Sequence, residues 1–187
     1  MLEYMRFPFI SKSKRGSASK NVRMIETRSA AEAEIALAFG GGLPAWGEPQ
    51  QGYLIWQEVC PGNRYDYRVN IVGREMAIGR RWNKPDTIFA SGHSRIDNCD
   101  PDEAEPAEVL EFCKKFFETE GITFAAIDIV KGSNGWKLLE TSIAWPEHHL
   151  PWQTRIFVSG RPCRDLFAVI VEEMEAGSFD AATPAAA

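Results

Sequence analysis

No stretch of this sequence approaches the roughly 20 consecutive apolar residues that a membrane-spanning helix needs, and its start lacks the apolar run of a secretory signal. The four cysteines, Cys60, Cys99, Cys113 and Cys163, include no C-x-x-C pair, which points to reduced thiols in a cytoplasm rather than to a disulfide framework. Excess positive charge is missing too. Lys and Arg number 21 against 26 Asp and Glu, a balance of −5 that excludes a general electrostatic grip on nucleic acid or anionic membrane. Histidine is scarce, at three residues, and the absence of H-E-x-x-H or a cysteine cluster argues against zinc. A plain phosphate-loop NTPase is excluded because no G-x-x-x-x-G-K-S/T follows a strand, and a lysine-AMP nucleotidyltransferase because no K-x-D-G surrounds Lys12.

What is present suffices for one ordinary core or two small lobes: 187 residues, 44% of them hydrophobic. Residues 7–12 read as a short strand, 13–20 as a basic loop bearing glycine and serine, and 21–25 as a second strand. Alanine-rich helical spacing then runs to Gly40, with Ser29 as the expected N-cap. A strand follows over 53–59, broken by Cys60-Pro61-Gly62-Asn63. Two alternating runs, 65–73 and 74–82, meet at Gly73 and predict antiparallel neighbours, and 83–97 reads as a loop. The clearest helix lies within 100–121, with apolar spacing at Val109, Leu110, Phe112, Cys113, Phe116 and Phe117 and Gly121 just past its end. After a hairpin at 128–142 come an irregular segment to 153, a strand over 155–160, a last helix within 164–177 and a frayed tail.

The hairpin carries the strongest chemical signal. Its segment D-I-V-K-G-S-N-G-W-K-L-L-E-T-S, residues 128–142, holds an acid on each apolar run around the turn signal Ser133-Asn134-Gly135. A turn centred on Asn134 sets Asp128 opposite Glu140, with Ser142 on the same side and Ile127, Ile129, Leu139 and Thr141 toward the core. Opposed Cβ atoms stand about 4.5–5.5 Å apart, where two carboxylates repel unless one takes a proton or a cation sits between them. Two carboxylates and a hydroxyl form an all-oxygen site suited to Mg²⁺, which completes its shell with water and phosphate oxygens. The competing reading is a wet sheet face on which Glu140 meets Lys131 or Lys137 in surface pairs of little energy. The metal reading carries an expectation: neutralising Asp128 or Glu140 relieves repulsion and leaves the fold intact.

A phosphate ligand calls for cations as well. Lys12 stands at a strand end, and Lys14, Arg15 and Lys20 follow in a loop whose small residues let backbone amides approach phosphate. Arg81, in A-I-G-R-R-W-N, is a second candidate, because a guanidinium stays charged and can brace a transferring phosphoryl group. Its neighbour Arg80 is expected on the opposite face. The pair His148-His149 either touches an acceptor or is solvated or packed on tryptophan.

Pro8-x-x-x-Lys12 with its small-residue loop, then Y-L-I-W-Q-E-V-C-P-G, Y-D-Y-R-V-N-I-V-G, A-I-G-R-R-W-N, A-S-G, A-I-D-I-V and L-L-E-T-S follow one another along the chain. In that order the sequence resembles the ATP-grasp superfamily, most of all the branch of the ribosomal-protein S6 glutamate ligase (RimK-type) and related peptide-tailoring enzymes. The resemblance runs to about Trp152. It implies an α+β fold in which two lobes with antiparallel sheets clamp a nucleotide: a partial small lobe over 1–56, a large lobe over 57–177 and a disordered tail over 178–187.

The resemblance also implies ATP with Mg²⁺ or Mn²⁺. Lys12 would meet the phosphates, Gln57, Glu58 and Val59 would read adenine largely through their backbone, and Asp66 would meet the ribose. Arg81 would lie near the transferred phosphate and the acyl group, and Asp128, Glu140 and Ser142 would be the metal ligands. The implied reaction phosphorylates a carboxylate to an acyl phosphate, which an amine attacks to form an amide; peptides are among the candidate substrates. The sequence departs from the family pattern at Ser142, where Asn is usual, in a phosphate loop with fewer glycines, and in opening almost at the Lys12 strand, without the lobe that precedes it in relatives. That late start keeps two further readings in view: a non-catalytic ATP-binding or regulatory module, and an incomplete unit that another chain or copy completes.

Overall fold

The computed structural model describes residues 2–14, 21–45, 47–90, 95–143, 155–156, 162–163 and 166–178. The chain divides into two compact units, Met1–Pro61 and Gly62–Ala187.

In the first unit, β1 (Phe9–Lys12) is the middle of a three-stranded antiparallel sheet between β2 (Val22–Ile25) and β3 (Ile55–Glu58). Its alternation sends Phe9 into a small core with Ile25 and Ala31, where it meets the Trp56 ring at 4.6 Å between centroids. Ser11 is buried beside that core and donates 2.7 Å to Glu34 of α1 (Arg28–Phe39), whose carboxylate also pairs with Arg23 at 2.8 Å. The helix is capped by Thr27, whose Oγ1 accepts from the Ala30 amide at 3.2 Å, and not by the expected Ser29. Thr27 keeps extended backbone angles, as a capping residue must, whereas Ser29 already lies in the first helical turn.

The second unit is a five-stranded antiparallel sheet in the order β6-β5-β4-β7-β8: Ile96–Asn98, Glu75–Trp82, Tyr65–Val72, Phe124–Gly132 and Gly135–Ser142. Tyr67, Val69, Ile78, Ile127 and Ile129 pack against Val109, Leu110, Cys113 and Phe117 of α2 (Ala104–Glu120). That helix ends as its sequence predicts, with Gly121 in the left-handed region (φ 65°) and its N–H returned to the Phe117 carbonyl. Burial pushes the Cys113 thiol in this core up to about 12. The β4–β5 turn also needs its glycine: Gly73 has φ 61°, and a Cβ there would strike Glu173 of α3 (Leu166–Glu175), whose carboxylate accepts the next amide, Arg74, at 3.0 Å. Short strands β9 (Arg155–Ile156) and β10 (Pro162–Cys163) form a separate pair. The expected irregular segment and tail residues 179–187 lie outside the described residues, whereas Ser178, placed in the expected tail, is buried and its amide donates to the Glu173 carbonyl at 2.9 Å. Among those described, no helix is long and apolar enough to cross a membrane.

Two expectations need correction. The stretch 83–97, read as loop, ends in β6, which pairs Gly79, Arg80 and Arg81 with Asn98, Asp97 and Ile96. In the hairpin the turn is Ser133-Asn134 with Gly132 opposite Gly135, one residue out of the expected register, and a β-bulge between Asp128 and Ile129 restores it. Leu139 is the surplus residue, so Leu138 rather than Leu139 reaches the core cluster.

Candidate functional site

The site is built on the sheet face opposite α2. Alternation gives that face Asp66, Arg68 and Asn70 of β4, Ala77, Gly79 and Arg81 of β5, Ala126 and Asp128 of β7, and Glu140 and Ser142 of β8. The rows are Asp66 opposite Arg81, Arg68 opposite Asp128 opposite Glu140, and Asn70 opposite Ala126 opposite Ser142. Asp128 and Glu140 are therefore abreast, as the sequence predicts, although the turn reaches that register by a different route.

The environment of the acids differs from both sequence readings. Asp128 is 3% exposed, so it does not lie on a wet face. Its carboxylate accepts from Arg68 Nε at 2.9 Å and from an Arg81 terminal nitrogen at 2.7 Å. Arg81 is 6% exposed and also holds Asp66 through two hydrogen bonds of 2.8 and 2.7 Å. Neighbouring strands thus supply the cations that the hairpin alone left to a metal ion or a proton. Burial works against the Arg81 charge, yet Asp128 and Asp66 outweigh it and raise the guanidinium's pKa.

Sequence reasoning missed Arg68. The signal was available: Asp66 and Arg68, two apart on a strand, must share a face. Arg80 takes the opposite face, as expected, over the Tyr65 ring at 4.8 Å and within 3.2 Å of the Tyr67 hydroxyl. Both tyrosine hydroxyls donate to Glu105 of α2, at 2.7 and 2.8 Å, so this side of the sheet fastens the helix.

Burial pushes the Asp66 carboxyl up to about 6, against the pull of its Arg81 hydrogen bonds and charge, with the Asp128 charge adding to the rise. The folded value exceeds that of an unfolded aspartate, about 3.9. Between the two the folded chain binds the extra proton, so stability from this group is present at low pH and is lost as pH rises through about 6. The unfolding free energy of the parent minus that of Asp66→Asn should therefore grow as pH falls from about 7 to about 4.5. A difference independent of pH would refute the shift.

Asn70 is also absent from the sequence-derived site. It is fully buried, and neither end of its amide has a hydrogen-bond partner among the described residues. Such a group costs about 1–3 kcal/mol. Asn70→Leu, of similar volume, should raise the unfolding free energy by about that amount in urea titration; a loss of stability would reveal a partner for the amide.

For a divalent cation the donor set is chemically apt: Asp128, Glu140 and Ser142 offer only oxygen. Both Asp128 oxygens already accept from guanidinium groups, and a carboxylate has about four lone-pair sites, which leaves acceptor positions for a metal ion. Among the described residues no group of three His, Cys, Asp or Glu side chains could hold a metal unaided. Lys12 lies in the first unit, paired with Val22 and Ile55, on the sheet face that also bears Ile10, Met24 and Gln57. Gln57 and Glu58 end β3, an edge strand among the described residues, and Val59 follows. Arg15, Lys20, His148 and His149 fall outside the described residues.

No family model matches the chain, and no curated protein does. Solved structures do. The ATP-grasp ligase PsnB, complexed with a minimal precursor, Mg and ADP, aligns at 19% identity and a TM-score of 0.53 over 89% of this chain and 47% of its own. A RimK domain ATP-grasp protein from Sphaerobacter thermophilus aligns at 18% and 0.51 over 92% and 54%. The D-alanine–D-alanine ligase of Bacillus anthracis aligns at 10% and 0.59 over 95% and 57%. The chain has the ATP-grasp fold, α+β with antiparallel sheets, as its motifs implied. It spans about half the length of these solved chains.

Proposed function

We propose that the chain carries the ATP-holding part of a Mg²⁺-dependent carboxylate–amine ligase that works through an acyl phosphate. The observation that carries this reading is the buried Arg81, shared by Asp66 and Asp128 on a sheet face whose next strand offers Glu140, in a chain with the fold of known ATP-grasp ligases.

Asp128, Glu140 and Ser142 would hold the metal, which when bound supplies positive charge to phosphate oxygens. Arg81 presents a fixed guanidinium to the charge that develops on the transferring phosphoryl group. Asp66 orients it: both carboxylate oxygens already engage Arg81, and we assign Asp66 to that task rather than to the ribose. Arg68 holds the Asp128 carboxylate in place through its Nε donor. In the first unit, Lys12 would take a phosphate oxygen, and the edge of β3 at Gln57, Glu58 and Val59 offers the outward backbone groups that an adenine ring can pair with. No side-chain nucleophile is required. The neighbours that bind precursors make a peptide the first substrate class to test, and thiols without a C-x-x-C pair suit a reducing cytoplasm.

The test is ADP release from ATP with panels of carboxylates and amines, peptides included, with Mg²⁺ and with EDTA. Metal-dependent ADP release that needs both an acid and an amine is expected. Lys12→Ala should weaken nucleotide binding more than Lys20→Ala, because a strand-anchored cation is already positioned. Nucleotide binding indifferent to EDTA would sink the reading. The partial span relative to its solved neighbours favours one alternative, a nucleotide-binding module completed by another chain. Tight Mg-ATP binding without ADP release across the panel would select it.

A further inference from the structure

Asp128 meets two guanidiniums before any metal arrives. Arg68 and Arg81 both donate to its carboxylate, and all three side chains are largely withdrawn from solvent. Glu140, abreast of Asp128 on β8, is exposed. Arg68 and Arg81 against Asp66, Asp128 and Glu140 leave one net negative charge on this part of the sheet. A divalent ion approaching alone thus finds one well-exposed carboxylate and a second already neutralised by cations that repel it.

Resting on the proposed function, we infer that Arg68 and Arg81 form a counter-cation latch: positioning residues that occupy Asp128 until a nucleotide polyphosphate draws a guanidinium away, so that metal binds strongly only together with nucleotide. The charge balance dictates the order. A polyphosphate brings several negative charges, and a guanidinium leaving a carboxylate for a phosphate exchanges one bidentate anion for another at small cost. Asp128 then regains its full charge for the metal. Without the polyphosphate, release would leave Arg68 without its anion or Arg81 with Asp66 alone, which the fold resists. The inference concerns how this chain's own arginines govern access to the acid pair, beyond which residues ligate the ion.

The experiment measures Mn²⁺ binding by the EPR signal of the free ion, using the full chain alone and with a non-hydrolysable ATP analogue. The parent should bind Mn²⁺ at least about tenfold more tightly in the presence of the analogue than the analogue and protein separately account for. Arg81→Met and Arg68→Gln should each tighten binding of Mn²⁺ alone by about tenfold, the opposite of what loss of a merely structural residue would do. Arg68→Gln keeps a neutral donor for Asp128 and leaves Arg81 on Asp66, so it decides the matter should Arg81→Met not fold. If the parent binds Mn²⁺ as tightly without nucleotide as with it, or if folded variants bind free Mn²⁺ no better than the parent, the latch is overturned while the proposed function stands. If neither Mn²⁺ nor its nucleotide complex binds the parent, both fail together.

Discussion

Replacing Asp128 by asparagine should lower the unfolding free energy by about 3–5 kcal/mol, whereas Glu140→Gln should change it by less than about 0.5 kcal/mol. The asymmetry follows from what each acid touches. Asp128 is buried and neutralises parts of two guanidiniums, so an amide in its place leaves Arg68 without an anion and Arg81 with Asp66 alone. Buried charge stripped of its partner is among the costliest changes a fold can suffer. Glu140 is exposed on an edge strand and can surrender its charge to water. The hairpin taken alone predicts relief of repulsion and an intact fold for either substitution. The structure reverses that for Asp128, because the hairpin's acids answer to β4 and β5 as well as to each other. Urea unfolding followed by circular dichroism checks the pair of variants, and equal midpoints would sink the assignment.

Arg81→Lys should cut ADP formation by about a hundredfold to a thousandfold under the proposed chemistry while keeping the chain folded. A lysine retains the charge but not the fork. It cannot donate twice to Asp66 and once to Asp128 from a single flat group, as Arg81 does at 2.7–2.8 Å. The charge presented to the phosphoryl group then loses its fixed direction, and directed charge is what such a site contributes. Arg81→Met should lose at least as much and should also destabilise, because Asp66 would lose its guanidinium partner and Asp128 would keep only Arg68. Steady-state rates corrected for folded fraction check both variants; parent-like rates in Arg81→Lys would remove Arg81 from the reaction.

Much of the fold is legible in the chain because its alternation is clean. Tyr65 to Ile71 switches from apolar to polar at every residue, and Gly73 and Gly121 stand where only glycine is comfortable. β6 is not legible: Ile96-Asp97-Asn98 is short and polar, and it becomes a strand through backbone pairing with β5, which local sequence does not report. The true N-cap, Thr27, and the expected one, Ser29, are both hydroxyl residues within 3.2 Å of each other, so composition alone could not choose. At the site, opposition of Asp128 and Glu140 follows from spacing along one hairpin. The grip of Arg68 on Asp128 does not, since it requires knowing that β4, sixty residues earlier, lies beside β7. Spacing by two puts Asn70 on the face of Asp66 and Arg68, but its burial is not legible, because that depends on its neighbours across the sheet being Ala77 and Ala126.

The surplus residue at Leu139 gives the hairpin slack. Turn-side pairs run on one count and acid-side pairs on another, and the ladder changes count between them. Losing Leu139 would merely merge the two counts, with Asp128 and Glu140 still facing. A change in the length of the loop at Ser133-Asn134 can likewise be taken up at this joint before it reaches the acids. The distal loop of this hairpin is thereby free to drift over evolutionary time, mechanically insulated from the chemistry a few residues away.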